Sequence, residues 1–351
     1  MSKIKVAHVL CTNSFSGAEN VAISLINTFK KDLDFVYVSP DGPISDVLKE
    51  NSISFYPLKS MNPFTLKKAI KEIKPDIIHA HDFLAGFFSA FTSGKTPVIN
   101  HLHNNAPWIK NFSPLTLAYL AASKKIQKIL TVSDSVMDEY IWGKTCKNKT
   151  TVIGNQIDIS SIKSKASLSA PSDPYDIIFL GRLSTPKNPI GFLEIIADLK
   201  NKLPDIRAVM VGDGELRSQV EARLSALNLQ NTVTLKGFCK NPYGYLKGSK
   251  VLCMPSLWDG CPLASVEALA LGKPILASPV GGLVNIVTDD CGKLCKSNDE
   301  FVEQLVCLLT NENVYRQKSA AALLRADEFD NVSDYKKTIK NAYDEIILNK
   351  M

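Results

Sequence analysis

No apolar run in the 351 residues reaches the roughly eighteen needed to cross a membrane as a helix. The opening MSKIKVAHVL has a lysine-flanked apolar run too short for a secretory signal, with no small-residue cleavage site behind it. It reads instead as a first buried strand. Arginine is missing from residues 1–165, which hold 20 lysines against 13 acids, whereas residues 166–351 hold 15 Lys and 6 Arg against 22 acids. A nucleic-acid surface would set arginine forks and stacking aromatics among its lysines, and neither is there, so no nucleic-acid partner is expected. The basic half fits an anionic membrane surface, a phosphate-bearing acceptor, or a solvated face. Glycine is scarce where a dinucleotide fingerprint would need it. The loop CTNSFSG offers one glycine where G-x-G-x-x-G needs three, which argues against a dehydrogenase. Histidine is scarcer still, with five residues confined between His8 and His103, so the close pair Cys291 and Cys295 has no nearby histidine in sequence to complete a zinc set. The eight cysteines read as reduced thiols of a cytoplasmic protein, and the Cys291 and Cys295 pair as small buried hydrophobes. The D-x-D triplet Asp32-Leu33-Asp34 is flanked by Lys30 and Lys31 and reads as a solvated turn. No metal is expected.

With 45% apolar and 22% charged residues, the chain has the composition of a globular protein long enough for two cores. Strand and helix patterns alternate on both sides of Ser160–Pro174, a stretch rich in Ser, Lys, Ala and Pro that reads as a linker. The expectation is an α/β chain of two doubly wound domains, residues 1–165 and 172–330, with ligand collected beyond the carboxyl ends of parallel strands in a cleft.

The most informative stretch is VLCMPSLWDGCPLASVEALALGKPILAS, residues 251–278. An apolar run breaks at Pro255, a polar loop carries Asp259 and Gly260, helical periodicity begins at Leu263, and a second apolar run starts at Ile275. This spells strand, loop, helix, strand, with Gly272 and Pro274 placed to end the helix. Glu267 stands about one turn into that helix among apolar neighbours. A buried carboxylate needs partners, and an ionised one can accept from two adjacent sugar hydroxyls, as a ribose presents them. The other reading is a surface glutamate paired with a lysine. The loop aspartate eight residues before it and the strand frame favour a site.

Further candidates stand at strand ends. Gly17 follows the first strand at a helix beginning, where a backbone N–H can approach a phosphate, although a lone glycine in a turn is ordinary. His79 and His81 flank Ala80 in DIIHAHD, and His101 and His103 repeat the pattern in VINHLHNN. In FLGRLSTPKNP, Arg182 and Lys187 precede a helix with Asn188 as its cap and Pro189 at its first position, so a fork and a point charge lie near positive helix potential. Gly212 lies in the turn of VMVGDG, and Phe238 and Cys239 follow the strand from Val233 to Gly237.

These segments resemble the retaining, nucleotide-sugar-dependent glycosyltransferases of family 4, which have the two-domain GT-B fold. Asp259 and Glu267 stand at the two positions of the family's E-x7-E signature, with Asp one methylene shorter than the usual Glu. The resemblance implies that Glu267 binds the nucleotide ribose, and that His103 and Asp259 orient the sugar as catalytic residues. It further implies that Arg182 and Lys187 neutralise the departing diphosphate, and that Gly17, Gly212, Phe238, Cys239, Pro262 and Leu263 complete the donor contacts. The helix over 334–351 is expected to return to the first domain. The activity implied is transfer from a nucleoside-diphosphate sugar, a UDP-sugar before GDP-mannose, to a glycan or lipid-linked acceptor of a bacterial surface polysaccharide. It would proceed without a cofactor, at the inner face of the plasma membrane. Two alternatives keep the fold: a UDP-sugar epimerase of the GT-B type, and a non-catalytic partner subunit.

Overall fold

The computed structural model describes residues 3–14, 17–168, 174–260 and 262–348. The chain divides into two compact units, Met1–Gln156 with Ser333–Met351, and Ile157–Val332.

The first unit is built on seven parallel strands: β1 (Lys5–Val9), β2 (Asp34–Pro40), β3 (Phe55–Leu58), β4 (Ile77–His81), β5 (Val98–Leu102), β6 (Lys128–Thr131) and β7 (Thr150–Val152). Their order is β3-β2-β1-β4-β5-β6-β7, so the winding reverses between β1 and β4. Consecutive strand residues such as Ile77 and Ile78, or Val98 and Ile99, are both buried. That is the mark of a parallel sheet with helices on each face, and it explains why these strands read as apolar runs without alternation. The C-terminal helix Val332–Leu348 lies in this unit. Its residues Tyr335, Ile339, Tyr343 and Ile346 share a core with Val21, Leu25 and Ile26.

The second unit holds β8 (Tyr175–Leu180), β9 (Ala208–Val211), β10 (Val233–Gly237), β11 (Ser249–Met254), β12 (Ile275–Ala277) and β13 (Gly292–Leu294), again all parallel. The order β10-β9-β8-β11-β12-β13 puts the reversal between β8 and β11. One apolar core covers each face of this sheet.

The expected linker is a correction. Most of Ser160–Pro174 is not a connector, because Ile159–Ser167 forms a helix whose cap, Asp158, accepts from the Ser161 N–H at 2.8 Å. Ile159, Ile162 and Ala166 are buried at helical spacing in the second unit, a pattern masked by the serines and lysines between them. The division between the units falls after Gln156, and residues 169–173 of the stretch lie outside the described residues. Among the described residues no helix is long and apolar enough to cross a membrane.

Candidate functional site

In the second unit the loops after β8, β9 and β11 are stitched together at the carboxyl end of the sheet. Gly212 has φ +141°, and a Cβ there would stand 1.9 Å from the Gly181 carbonyl oxygen, so only glycine lets the two loops meet backbone to backbone. The Leu183 N–H donates to the Asp213 carbonyl at 3.0 Å, and the Leu216 N–H to the Leu183 carbonyl at 2.9 Å. Arg182 projects from this junction and pairs with Glu215 at 3.2 Å, both side chains half exposed. Such a pair adds little to stability and leaves the guanidinium open to a better anion.

The β8 loop is also tied to the β11 loop. The Leu257 N–H donates to the Pro186 carbonyl at 2.8 Å, and Asn188 Nδ2 to the Pro255 carbonyl at 3.1 Å. Asn188 Oδ1 accepts from the Gly191 N–H at 3.1 Å and caps the helix Pro189–Lys202, as its sequence predicts. These ties bring Lys187, largely buried, into an ion pair with Asp259 across the reversal of strand order. The Asp259 carbonyl accepts from the Gly282 N–H at 3.0 Å, which joins the loop after β12 to the same rim.

Glu267 lies one turn into the helix Leu263–Ala270, which starts after Pro262 without a side-chain cap and is followed by Gly272 at φ +66°. Its Oε1 accepts from Tyr243 Oη at 2.9 Å. Burial raises the pKa of this carboxyl, while the Tyr243 bond and the Lys165 charge oppose the rise. Asp259 and Glu267 therefore do not share a partner. Phe238 is exposed just past β10, and the Cys239 thiol donates to the Asn241 carbonyl at 3.2 Å. Tyr243 and Lys165 escaped the sequence reading: one sits in NPYGYLKG, which carries no motif, the other in the supposed linker.

In the first unit, Gly17 opens the helix Gly17–Phe29, and a Cβ there would meet nothing within 4 Å. Packing does not demand glycine at this position. The strand ends are more constrained. Asn100 donates to the carbonyls of Ala80 at 3.1 Å and Asp82 at 3.0 Å, and Asn100 Oδ1 accepts from Tyr119 Oη at 2.6 Å, so a buried amide holds the turn after β4. Asp82, in left-handed backbone at φ +65°, accepts from the His103 N–H at 2.9 Å and Asn104 Nδ2 at 3.1 Å. Burial pushes its pKa up to about 7. The aspartate of HAHD thus ties the turn after β4 to the His103 backbone, a role that the histidines beside it had overshadowed. His81 Nδ1 lies 2.8 Å from His103 Nε2, and burial lowers the His103 pKa to about 3, so its ring is neutral.

Two family models match in succession. The one described as Glycosyltransferase Family 4 covers residues 15–161, and the one described as Glycosyl transferases group 1 covers residues 160–324. The chain belongs to glycosyltransferase family 4. This family 4 enzyme is 26% identical, over 99% of both chains, to the UDP-Gal:alpha-D-GlcNAc-diphosphoundecaprenol alpha-1,3-galactosyltransferase of Escherichia coli. It is also 26% identical, over 93% of this chain and 95% of the relative, to a Campylobacter jejuni alpha-1,4-N-acetyl-D-galactosaminyltransferase. That relative is named for a GalNAc-alpha-(1->4)-GalNAc-alpha-(1->3)-diNAcBac-PP-undecaprenol substrate. Among solved structures, Anabaena HepE in complex with UDP and glucose superposes with a TM-score of 0.82 at 19% identity, over 97% of this chain and 99% of that one. At that identity the likeness speaks for the fold, two parallel-sheet Rossmann-like domains of the GT-B type.

Proposed function

We propose that this glycosyltransferase moves a sugar, with retention, from a UDP-sugar to a lipid-linked diphosphate acceptor in the assembly of a bacterial surface glycan. The observation that carries the donor half is the Lys187–Asp259 pair across the reversal of strand order between β8 and β11, the usual place for a nucleotide in an open α/β sheet, with Arg182 on the same loop after β8. Arg182 and Lys187 take the diphosphate together with the uncapped beginning of the helix at Leu263. Glu267, oriented by the Tyr243 hydroxyl, accepts from the ribose hydroxyls. Gly212, Phe238, Cys239, Pro262 and Leu263, which follow β9, β10 and β11, are proposed as further donor contacts, and Gly17 for its backbone N–H. Two cations and a helix terminus match the charge of a diphosphate, so the reading needs no protein-held metal. Turnover that survives exhaustive chelation is the expected result.

The first unit contributes His103 as a contact to a sugar hydroxyl of the substrate. In the proposed front-face reaction the bond from the sugar's anomeric carbon to the leaving phosphate oxygen breaks as the acceptor oxygen bonds on the same face. The acceptor's proton goes to that phosphate oxygen. Charge stabilisation and positioning supply the rate. A trapped sugar adduct on a side chain, or an inverted product, would overturn it.

The acceptor half rests on the names of the relatives and on one surface. The helices Pro63–Ile73, Asp82–Thr92 and Pro114–Ser123 pack side by side in the first unit. They expose Phe64, Leu84, Phe91 and Leu115 among Lys67, Lys68, Lys71, Lys124 and Lys125. Apolar side chains within a basic field suit an anionic leaflet. Sedimentation with phosphatidylglycerol vesicles but not with phosphatidylcholine vesicles, reversed by salt, is expected. The deciding experiment for the whole reading is turnover of a panel of UDP- and GDP-sugars with and without an undecaprenyl-diphosphate glycan. Consumption of UDP-sugar with no acceptor present would favour epimerisation.

A further inference from the structure

All five histidines of the chain, scattered over 96 residues of sequence from His8 to His103, gather in one stack in the first unit, His8, His79, His81 and His101 buried on neighbouring strands and His103 half-buried just past the end of β5. His8 on β1 is in register with His79 on β4, and His81 with His101 on β5. Ring centroids lie 4.7 Å apart for His79 and His81, 5.1 Å for His81 and His103, and 4.1 Å for His101 and His103. Within the stack, three rings are joined edge to edge. His8 Nδ1 lies 2.9 Å from His81 Nε2, and His81 Nδ1 lies 2.8 Å from His103 Nε2. The chain of bonds crosses the reversal of strand order between β1 and β4.

Each of these rings is neutral, since burial lowers the pKa of His8 and His103 to about 3 and that of His81 well below its ordinary value. A neutral imidazole has one N–H and one bare nitrogen. Both contacts join a Nδ1 to a Nε2, so the bonds can form together in only two ways: all three protons on Nδ1, or all three on Nε2. We propose that His8 and His81 are positioning residues that lock the tautomer of His103 to their own, so that one proton arrangement across three rings decides whether His103 meets substrate as a donor or as an acceptor. The proposal rests on the reading that His103 touches a sugar hydroxyl through Nδ1. That nitrogen has no partner among the described residues and is not among the fully buried, unpartnered atoms, which include His8 Nε2. A metal ion is a poorer account of the stack. His81 belongs to both groups of three whose nitrogens lie within 4.8 Å of one another, and its two nitrogens are already taken by ring partners.

The test is nitrogen-15 NMR of the ring nitrogens in the full-length protein at pH 7.5, with each histidine assigned by substitution. His8, His81 and His103 should report the same protonated nitrogen. A mixed set, or a stoichiometric metal in the purified protein, overturns the proposal. His8→Phe keeps a ring in the stack and removes the bond. It should move the His103 signals and lower kcat by at least about tenfold with donor KM little changed, and His8→Asn, which places an amide where Nδ1 was, should restore both. A folded His8→Phe protein with unaltered His103 signals is equally fatal. The shifts are read without turnover, so full activity in His103→Ala would remove the sugar-contact reading while leaving the tautomer result to stand or fall separately.

Discussion

The Lys187 ammonium and the Asp259 carboxylate, 72 residues apart, neutralise one another across the reversal of strand order in the second sheet. Before donor arrives the cation proposed for the diphosphate is therefore already engaged, and binding must trade one anion for another. Asp259→Asn is expected to tighten UDP binding several-fold while lowering turnover, and Lys187→Ala to weaken UDP by about tenfold or more, the scale of a charged hydrogen bond. Calorimetry with UDP decides: equal affinity in wild type and Asp259→Asn would mean no competition.

Glu267 is proposed to read the ribose. Losing a charged acceptor costs about 1.5–3 kcal/mol, so Glu267→Gln should weaken UDP on the order of 10- to 100-fold. Wild type should also discriminate against the deoxyribose analogue dUDP, and the variant should lose that preference. Tyr243→Phe should show the same trend more weakly, because it removes the 2.9 Å bond that orients the carboxylate.

Arg182 separates binding from folding. Its pair with Glu215 is half exposed on both sides, so Arg182→Ala should leave the unfolding free energy within about 0.5 kcal/mol of wild type. Donor affinity should fall clearly in the same protein. A variant destabilised without a binding defect would place the arginine in the scaffold.

Two glycines should behave in opposite ways. A Cβ at Gly212 collides with the Gly181 carbonyl in a backbone conformation that side chains rarely adopt, whereas one at Gly17 meets open space. Gly212→Ala should destabilise by several kcal/mol, roughly the scale of an overpacked and strained site. Gly17→Ala should melt like wild type, which makes it a clean probe of donor binding at that loop.

The histidine stack should make the protein acid-labile. Burial lowers the folded-state pKa of all five imidazoles, to about 3 for His8 and His103, below their ordinary 6.5. Below pH 6.5 the unfolded chain therefore binds protons that the folded one refuses, and stability falls as pH drops. Each fully titrating histidine contributes about 1.4 kcal/mol per pH unit. Asp82 works the other way: its folded pKa is raised to about 7 from 3.8, so its contribution is present at low pH and lost as pH rises through 7. Five imidazoles outweigh one carboxyl. The thermal unfolding midpoint should drop steeply from pH 6.5 to 5, and a flat profile there would contradict the burial of these rings.

Much of this protein can be read locally. The strand, loop, helix and strand of residues 251–278 follow from an apolar run, the break at Pro255, and the stop at Gly272, which takes the left-handed conformation that its place after a helix predicts. The cap at Asn188 and the proline after it are equally local. The supposed linker failed because three apolar residues at helical spacing were outnumbered by polar ones, and whether such a helix forms depends on what covers its apolar face.

Sequence alone determined the alternation of elements, the strand ends at which chemistry could sit, and the resemblance that named the family. These depend on neighbours in the chain, whose propensities and periodicity act over a few residues. The tertiary structure decided the pairings: Lys187 with Asp259, Glu267 with Tyr243, Asp82 with the His103 backbone, and five distant histidines in one stack. Each joins groups brought together by strand order and register, which are set by how two-sided apolar strands bury against helices and not by any spacing along the chain.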